Sequence, residues 1–506
     1  PGARVGSVPT ANQSRGCPMA SFASRARKGA LAFVWLPIVA CGFALDDAQE
    51  RVGAGDDPLV DVEQTSVKHQ SIGNCWIYAA TSWAESLHKS ATGAELDMSE
   101  TYWTYWHFFE QIAGGSARTS VETGGWFNSA TSLAQRYGVM MERDFARSEE
   151  GRPRSALQRQ AELAINESLA NGALKDRAAR RDRALVRAEL DRAFGLAPEV
   201  VAFLDDVFGK SVDRTLQGKR TVVWTPPPPP PPPVEDGDGG ADGGSGSGDG
   251  DAGVDAGEDA AVPVDPPPPP PPPAPPEPYF SGVPLRTVYE IAVRIPDPAR
   301  VRGTQLPLKR DSDFIVVTLA DIVPSFSARY GWREVRYPST ASSRRELQRR
   351  VQRALHDRQP VVMSWFVDFA YQNRATFTLP EVRPLPGRQG GHLVVAEDYQ
   401  VDTGGELGVL PAGVTLDHRD PANDAKFLAA LAPTAKVEVF RIKNSWGTRE
   451  VPQEGFGGYY DLYMSYLDAR LPLPCTDIED EADRAACEAN PSTRPAFQNV
   501  VLPAGY

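Results

Sequence analysis

Two unbroken proline runs, Pro226 to Pro233 and Pro266 to Pro273, bracket a tract built mostly of Gly, Asp, Ser and Ala. Proline fixes φ and has no N–H to donate, so neither run fits a helix interior or a central strand. Polyproline extends at about 3.1 Å per residue, whereas Gly/Ser/Asp chains are flexible and self-repelling. No apolar residue between the runs recurs at helical or strand spacing, so no core can form there. Residues 225–278 are therefore read as a disordered insertion. The Asp-Gly repeats lack the helix-loop-helix frame and closing Glu of an EF-hand, which makes the tract a solvated linker rather than a calcium site.

The rest of the 506 residues must carry the fold. With 41% hydrophobic and 24% charged residues, the chain can bury a core, and its length fits two or three average domains. A mean hydropathy of −0.36 argues against a polytopic membrane protein. The formal net charge of −13 repels phosphate backbones and makes nucleic acid an unsuitable partner.

Met19 starts a tract with Arg25, Arg27 and Lys28, followed by an apolar run from Ala30 to Ala40 that ends at Cys41. A basic head, a short apolar stretch and small residues at its end describe a secretory signal. The run is too short for a spanning helix, which needs roughly 20 apolar residues. Ile38-Val39-Ala40-Cys41 resembles the lipobox of bacterial lipoproteins, which implies a lipid on Cys41; the alternative is an ordinary signal peptide. Gly42 follows where Asp would retain a lipoprotein in the inner membrane, so the resemblance implies the outer membrane. Residues 1–18 have no signal character and are expected to lie outside the protein as made.

Beyond the signal, residues 155–195 are rich in Arg, Ala, Glu and Leu, with Leu185, Leu190 and Phe194 among the positions that form one helical face and the charges forming a solvated one. Arg345 to Gln359 reads as another helix, leading into the strand-like run from Pro360 to Val367.

Five cysteines are present. Cys17 lies upstream, Cys41 is the candidate lipid anchor, and Cys475 and Cys487 are close enough in sequence to pair. Cys75 is then odd, and an odd thiol in an exported protein is a candidate nucleophile. An inert core thiol is the alternative. After Cys75, Ala79, Ala80, Trp83 and Leu87 recur at helical spacing, so the cysteine sits in a first helical turn, where the macrodipole favours a thiolate. Gly73 allows a tight approach just before it, and Gln70 offers amide N–H groups to an oxyanion.

The stretch Gln70-Ser71-Ile72-Gly73-Asn74-Cys75-Trp76 resembles the papain-like cysteine peptidases, marked by Gln and then Gly-x-Cys-Trp. Three more segments follow in that family's order: Gly124-Gly125 with its succeeding helix, Gly390-Gly391-His392, and Asn444-Ser445-Trp446-Gly447 followed by Gly457-Gly458-Tyr459. A fainter likeness, through the long helical insertion and Phe203 to Gly209, is to the bleomycin hydrolase branch.

The resemblance implies an α+β, two-lobe fold, with a helical lobe carrying Cys75 and a β-rich lobe carrying His392 and Asn444. The expected organisation is a signal segment over 1–41, a helical lobe over 42–150, a helical insertion over 151–224, the linker over 225–278, a β-rich lobe over 279–470 and a tail over 471–506. It also implies roles. Cys75 is the nucleophile, His392 the base and then the acid, and Asn444 the group that orients the imidazole. Gln70 and the Cys75 N–H form the oxyanion hole. Gly124, Gly125 and Gly391 contact the substrate backbone, and Trp446 shields the His–Asn pair. No metal or cofactor is expected, and the partner is a peptide or protein substrate. Readings of other classes are a catalytically weak or inactive peptide-binding envelope lipoprotein and a transglutaminase-type acyl transferase.

Three departures accompany the likeness. The Gln70–Cys75 step is one residue shorter than the family's. The cysteine pair of papain proper is replaced by Ile72 and Thr123. Cys75 and His392 are separated by more than twice the family's spacing of about 130–150 residues.

Overall fold

Helix α1 (Cys75–Thr92) buries an apolar face of Trp76, Ile77, Ala79, Ala80, Trp83, Ala84 and Leu87 and also the polar Thr81, Ser82, Glu85 and Ser86, so it is enclosed on every side and becomes the central helix. The computed structural model describes residues 62–92, 95–149, 152, 154–213, 215, 292–294, 315–317, 332–373, 378–382, 388–412, 421–448, 457–476, 478–502 and 506. The candidate lipobox at Cys41 and the linker over 225–278 lie outside the described residues.

On α1 pack α2 (Glu100–Ala113) and α3 (Phe127–Tyr137); α4 (Glu142–Phe145), α5 (Leu157–Ala170) and α6 (Arg183–Ala193) pack on α2, and α7 (Pro198–Phe208) meets α2 and α3 through Phe208. Ser99 caps α2 by accepting from the Tyr102 N–H at 3.1 Å, satisfying one of the unpaired amides of the first turn. Pro198 opens α7, where its missing N–H costs nothing.

The segment 155–195 holds two α-helices, and Leu185, Leu190 and Phe194 of the second all meet the helical core. The chain breaks near Gly172 and resumes at the Asp182 cap, whose carboxylate accepts from the N–H groups of Ala184 and Leu185. Two of its charges are not solvated. Arg187 is 2% exposed, lies between Asp191 and Asp205 and faces the rings of Tyr105 and Trp106. Arg180, also buried, donates to four carbonyls: Ala117, Leu169, Leu174 and Lys175. Phe194 and Phe208 enter the same core as α1 and α2, so this segment is continuous with the helical layer.

Strands β1 (Ala292–Arg294) and β2 (Ile315–Val317) form a small antiparallel pair. The main sheet contains β3 (Arg333–Arg336), β4 (Val361–Asp368), β5 (Thr378–Leu379), β6 (Gln389–Asp402), β7 (Val409–Leu410), β8 (Lys436–Lys443), β9 (Tyr459–Tyr463) and β12 (Phe497–Leu502). Its order is β3-β12-β4-β6-β8-β9-β5, with β7 added on β6. All pairings are antiparallel except β5 with β9, so the architecture is α+β with a mixed sheet.

Both faces of this sheet are covered, and the period-two alternation shows it. Leu393 and Val395 of β6 join the helical core, whereas Val394 and Ala396 join a second core. That second core receives α8 (Ala341–His356) through Leu347, Val351, Ala354 and Leu355, one stripe at helical spacing. The helix starts four residues before the expected Arg345, because Thr340 caps it. Short helices α9 (Asp424–Ala430), α10 (Met464–Leu467) and α11 (Glu481–Ala489) complete the fold, with the pair β10 (Arg470–Pro472) and β11 (Thr493–Pro495).

The expected tail over 471–506 is partly core. Strand β12 lies between β3 and β4, and Phe497, Val500, Val501 and Leu502 are buried. Cys475 and Cys487 are joined in a disulfide across the approach to α11, with Cα atoms 6.0 Å apart. Among the described residues, no helix is long and apolar enough to cross a membrane.

Candidate functional site

The register of the sheet assembles the site. β4 and β6 pair Trp365 with His392, and β6 and β8 pair Val395 with Lys443. Continuing the second register past the end of β8 brings Asn444 to Trp446 alongside the start of β6. His392 accordingly lies between two indoles. Trp446 stacks on it with centroids 4.7 Å apart and planes at 22°, and Trp365 meets it edge-on at 5.8 Å.

His392 Nε2 is 2.8 Å from Asn444 Oδ1. That oxygen also accepts from the Ser445 N–H at 2.8 Å, which fixes the amide's orientation. Oδ1 can only accept, so in the neutral imidazole Nε2 carries the proton and Nδ1 keeps its lone pair. The Asn444 N–H is held by the Gly458 carbonyl at 3.0 Å.

Cys75 begins α1, and its thiol lies 4.0 Å from the Gly391 carbonyl. The backbone N–H of Leu393 also acts on the sulfur. The thiol therefore rests against the two residues that flank His392. Cys75 is the free cysteine among the described residues.

The loop before Cys75 is clipped to the loop carrying Asn444. The Gln70 N–H donates to the Ser445 carbonyl at 2.8 Å, and Ser445 Oγ donates to Gln70 Oε1 at 2.5 Å. Gly447, at φ +78°, passes so close to His69 that a Cβ there would lie 2.8 Å from Nδ1. On the other side, Trp76 Nε1 donates to the Thr123 carbonyl at 2.9 Å. A Cβ on Gly125 would lie 2.4 Å from the Trp76 ring, so glycine is required at that position, whereas Gly124 meets nothing within 4 Å.

Cys75, His392, Asn444, Gln70, Trp446, Gly125 and Gly391 thus converge, but two expectations change. Burial pushes the Cys75 thiol up to about 11; the N–H groups of Leu393, Trp76 and Cys75 itself pull the other way and lose. Burial likewise takes His392 down to about 4, against the opposing bond to Asn444. Burial thus favours the neutral form of both groups, opposing the pull of the helix terminus toward a thiolate. In addition, the Gln70 side-chain amide donates to the Ile72 carbonyl at 2.9 Å, inside its own loop.

A layer of buried charge behind these residues carried no motif and was missed. Lys68 Nζ reaches Glu85, Asp97 and Glu100 at 2.8–3.0 Å. Burial opposes the Lys68 charge, yet Glu100, Glu85 and Asp97 hold its ammonium well above the usual range. Burial lifts Glu100 to about 7 and Glu142 to about 8. Lys68, Tyr78, Glu100, Glu142 and Gln158 line a polar cavity of about 200 Å³, and one carboxyl oxygen of Glu142 has no partner. Glu85 was the available signal, since it falls among the apolar residues of α1. No group of three or more His, Cys, Asp or Glu among the described residues is placed to hold a metal ion.

No family model matches this chain, and no curated protein does. Among solved structures, PepW from Lactobacillus rhamnosis HN001, determined as the selenomethionine derivative, is 10% identical, with a TM-score of 0.33 over 90% of this chain and 83% of that one. A likeness at that score carries no weight for fold or function.

Proposed function

We propose that this chain is a papain-like cysteine peptidase with that family's two-lobe fold, hydrolysing peptide bonds through an acyl-enzyme on Cys75. The observation that carries the reading is the His392 Nε2–Asn444 Oδ1 bond at 2.8 Å, with the Cys75 thiol against the residues on either side of that histidine.

Substrate binding brings a carbonyl carbon to Cys75 Sγ as His392 Nδ1 takes the thiol proton, so charge separates only when the nucleophile is needed. Asn444 stabilises the imidazolium through its oxygen. The oxyanion receives the Cys75 N–H and the second N–H of the Gln70 amide, whose first N–H is held by Ile72. His392 returns the proton to the leaving amine, and water then releases the acyl group. No cofactor enters.

Incubation with a mixed peptide library and mass analysis of the products tests the proposal. Cleavage is expected with the native protein and is lost in Cys75→Ala and His392→Ala; products from purified Cys75→Ala protein would overturn it. A peptide-binding protein without turnover is the second reading, favoured by the neutral buried thiol and by the capture of the Gln70 amide. Peptides retained but uncut would select it.

Export as a lipoprotein on Cys41 belongs to the same proposal. The Cys475–Cys487 disulfide supports an oxidising compartment. Intact-mass measurement checks the acyl group on Cys41.

A further inference from the structure

Asn444 has a peculiarity for a residue that must hold an imidazole in place. Its Oδ1 is doubly engaged, but its buried Nδ2 has no hydrogen-bond partner among the described residues. Its anchoring bonds are thus on the oxygen side, and its position also depends on where the end of β8 is held.

Backbone pairing holds β8 to β6 and β9, but neither strand carries Cys75. Besides the Gln70–Ser445 clip, which ties the loop before Cys75 to the residue after Asn444, a buried connection to the body of α1 runs through the residue before Asn444. Lys443 is 4% exposed, and its Nζ donates to Thr65 Oγ1 at 2.9 Å. The same hydroxyl donates to Glu85 Oε2 at 2.7 Å, and Glu85 belongs to α1, the helix that Cys75 opens. Glu85 Oε1 takes Lys68 Nζ at 3.0 Å and the Met98 N–H at 2.8 Å. Thr65 is 6% exposed and lies on neither element.

We infer that Thr65 is a positioning residue: its hydroxyl couples the buried Lys443 ammonium to the Glu85 carboxylate and so fixes Asn444, and through it His392, relative to Cys75. A hydroxyl suits the place because it accepts from the ammonium and donates to the carboxylate at once. Without it, two buried charged groups each lose a partner, and the end of β8 keeps the Gln70–Ser445 clip but loses its buried tie to α1. A shift of about 1 Å in such a contact is enough to change a rate by up to about 10²-fold. The inference rests on reading Cys75, His392 and Asn444 as one unit.

Thr65→Val keeps the shape and removes the hydroxyl, and Thr65→Ser keeps the hydroxyl. Two readouts are taken on the full chain: kcat and KM for a peptide cut by the native protein, and the proton resonance of the His392 Nε2–H in protein carrying ¹⁵N-labelled histidine. With Thr65→Val, kcat should fall about tenfold or more while KM stays within about twofold, and the resonance should shift or exchange away. Thr65→Ser should restore both.

A variant that melts lower but keeps kcat and the resonance would reduce Thr65 to a stabilising residue and overturn the inference. Should Thr65→Val not fold, Thr65→Ala serves with the same readouts. If the native protein cuts no peptide, the peptidase proposal fails, and the resonance alone decides the inference: unchanged in Thr65→Val it is rejected, lost and restored by serine it stands.

Discussion

The indole of Trp446 lies nearly parallel to the imidazole of His392, 4.7 Å away, and completes the burial that keeps His392 neutral. Removing the indole in Trp446→Ala should let water reach the ring and raise its pKa from about 4 toward the ordinary 6.5. NMR titration of the labelled histidine reads this directly. A midpoint still near 4 would assign the depression to Trp365 and the sheet.

The Cys75 thiol should behave as a buried acid. Its raised pKa means that alkylation by iodoacetamide climbs as pH rises from 7 toward 11, without a plateau between pH 5 and 8. The linked stability has the same sign: it is fully present below the unfolded thiol value near 8.5 and is lost as pH rises toward 11. A rate plateau at neutral pH would show an ion pair in the free protein and reject the neutral resting state.

Glu142 gives a prediction of opposite use. Its carboxyl is raised to about 8 by burial first and by Glu100 next, so the folded state resists its ionisation. That contribution to stability is present below about pH 4.5 and is lost as pH rises through 8. Glu142→Gln should therefore melt like the native protein at pH 5 and higher at pH 9, by about 2–4 °C for roughly 1 kcal/mol. Equal melting curves at both pH values would contradict it.

Gly125→Ala places a methyl 2.4 Å from the Trp76 ring, which is 0% exposed and cannot retreat. Overpacking of this kind costs about 1–3 kcal/mol. Urea unfolding of this variant beside Gly124→Ala, where space is open, should show the loss at 125 alone.

Reduction of Cys475–Cys487 should loosen α11 without releasing β12. The helix buries none of its residues, whereas β12 is paired on both sides. Hydrogen exchange after reduction should speed up over 481–489 and remain slow over 497–502; fast exchange in both would show that the disulfide holds the strand.

What could be read from the sequence was local. The helix after Cys75, the strand after Pro360 and the pairing of Cys475 with Cys487 rest on spacing a few residues long. The convergence of Cys75, His392 and Asn444 was legible because each sits in a short motif. Thr65, Lys68, Glu85 and Lys443 were not, since a buried ion network has no period and each member looks like an ordinary surface residue. Arg180 and Arg187 were misjudged for that reason. The burial that opposes a Cys75 thiolate was not legible either, because a helix terminus is visible in a sequence and burial by a distant strand is not.

The place of β12 has a kinetic consequence. β3 and β4 frame a gap that only residues 497–502 can fill, well over a hundred positions further along. Until that segment arrives, β4 is an unpaired edge bearing Val361, Val362, Met363 and Trp365, a run able to recruit other chains. Pairing across so long a separation is slow, and during synthesis the chain must wait with its sheet open.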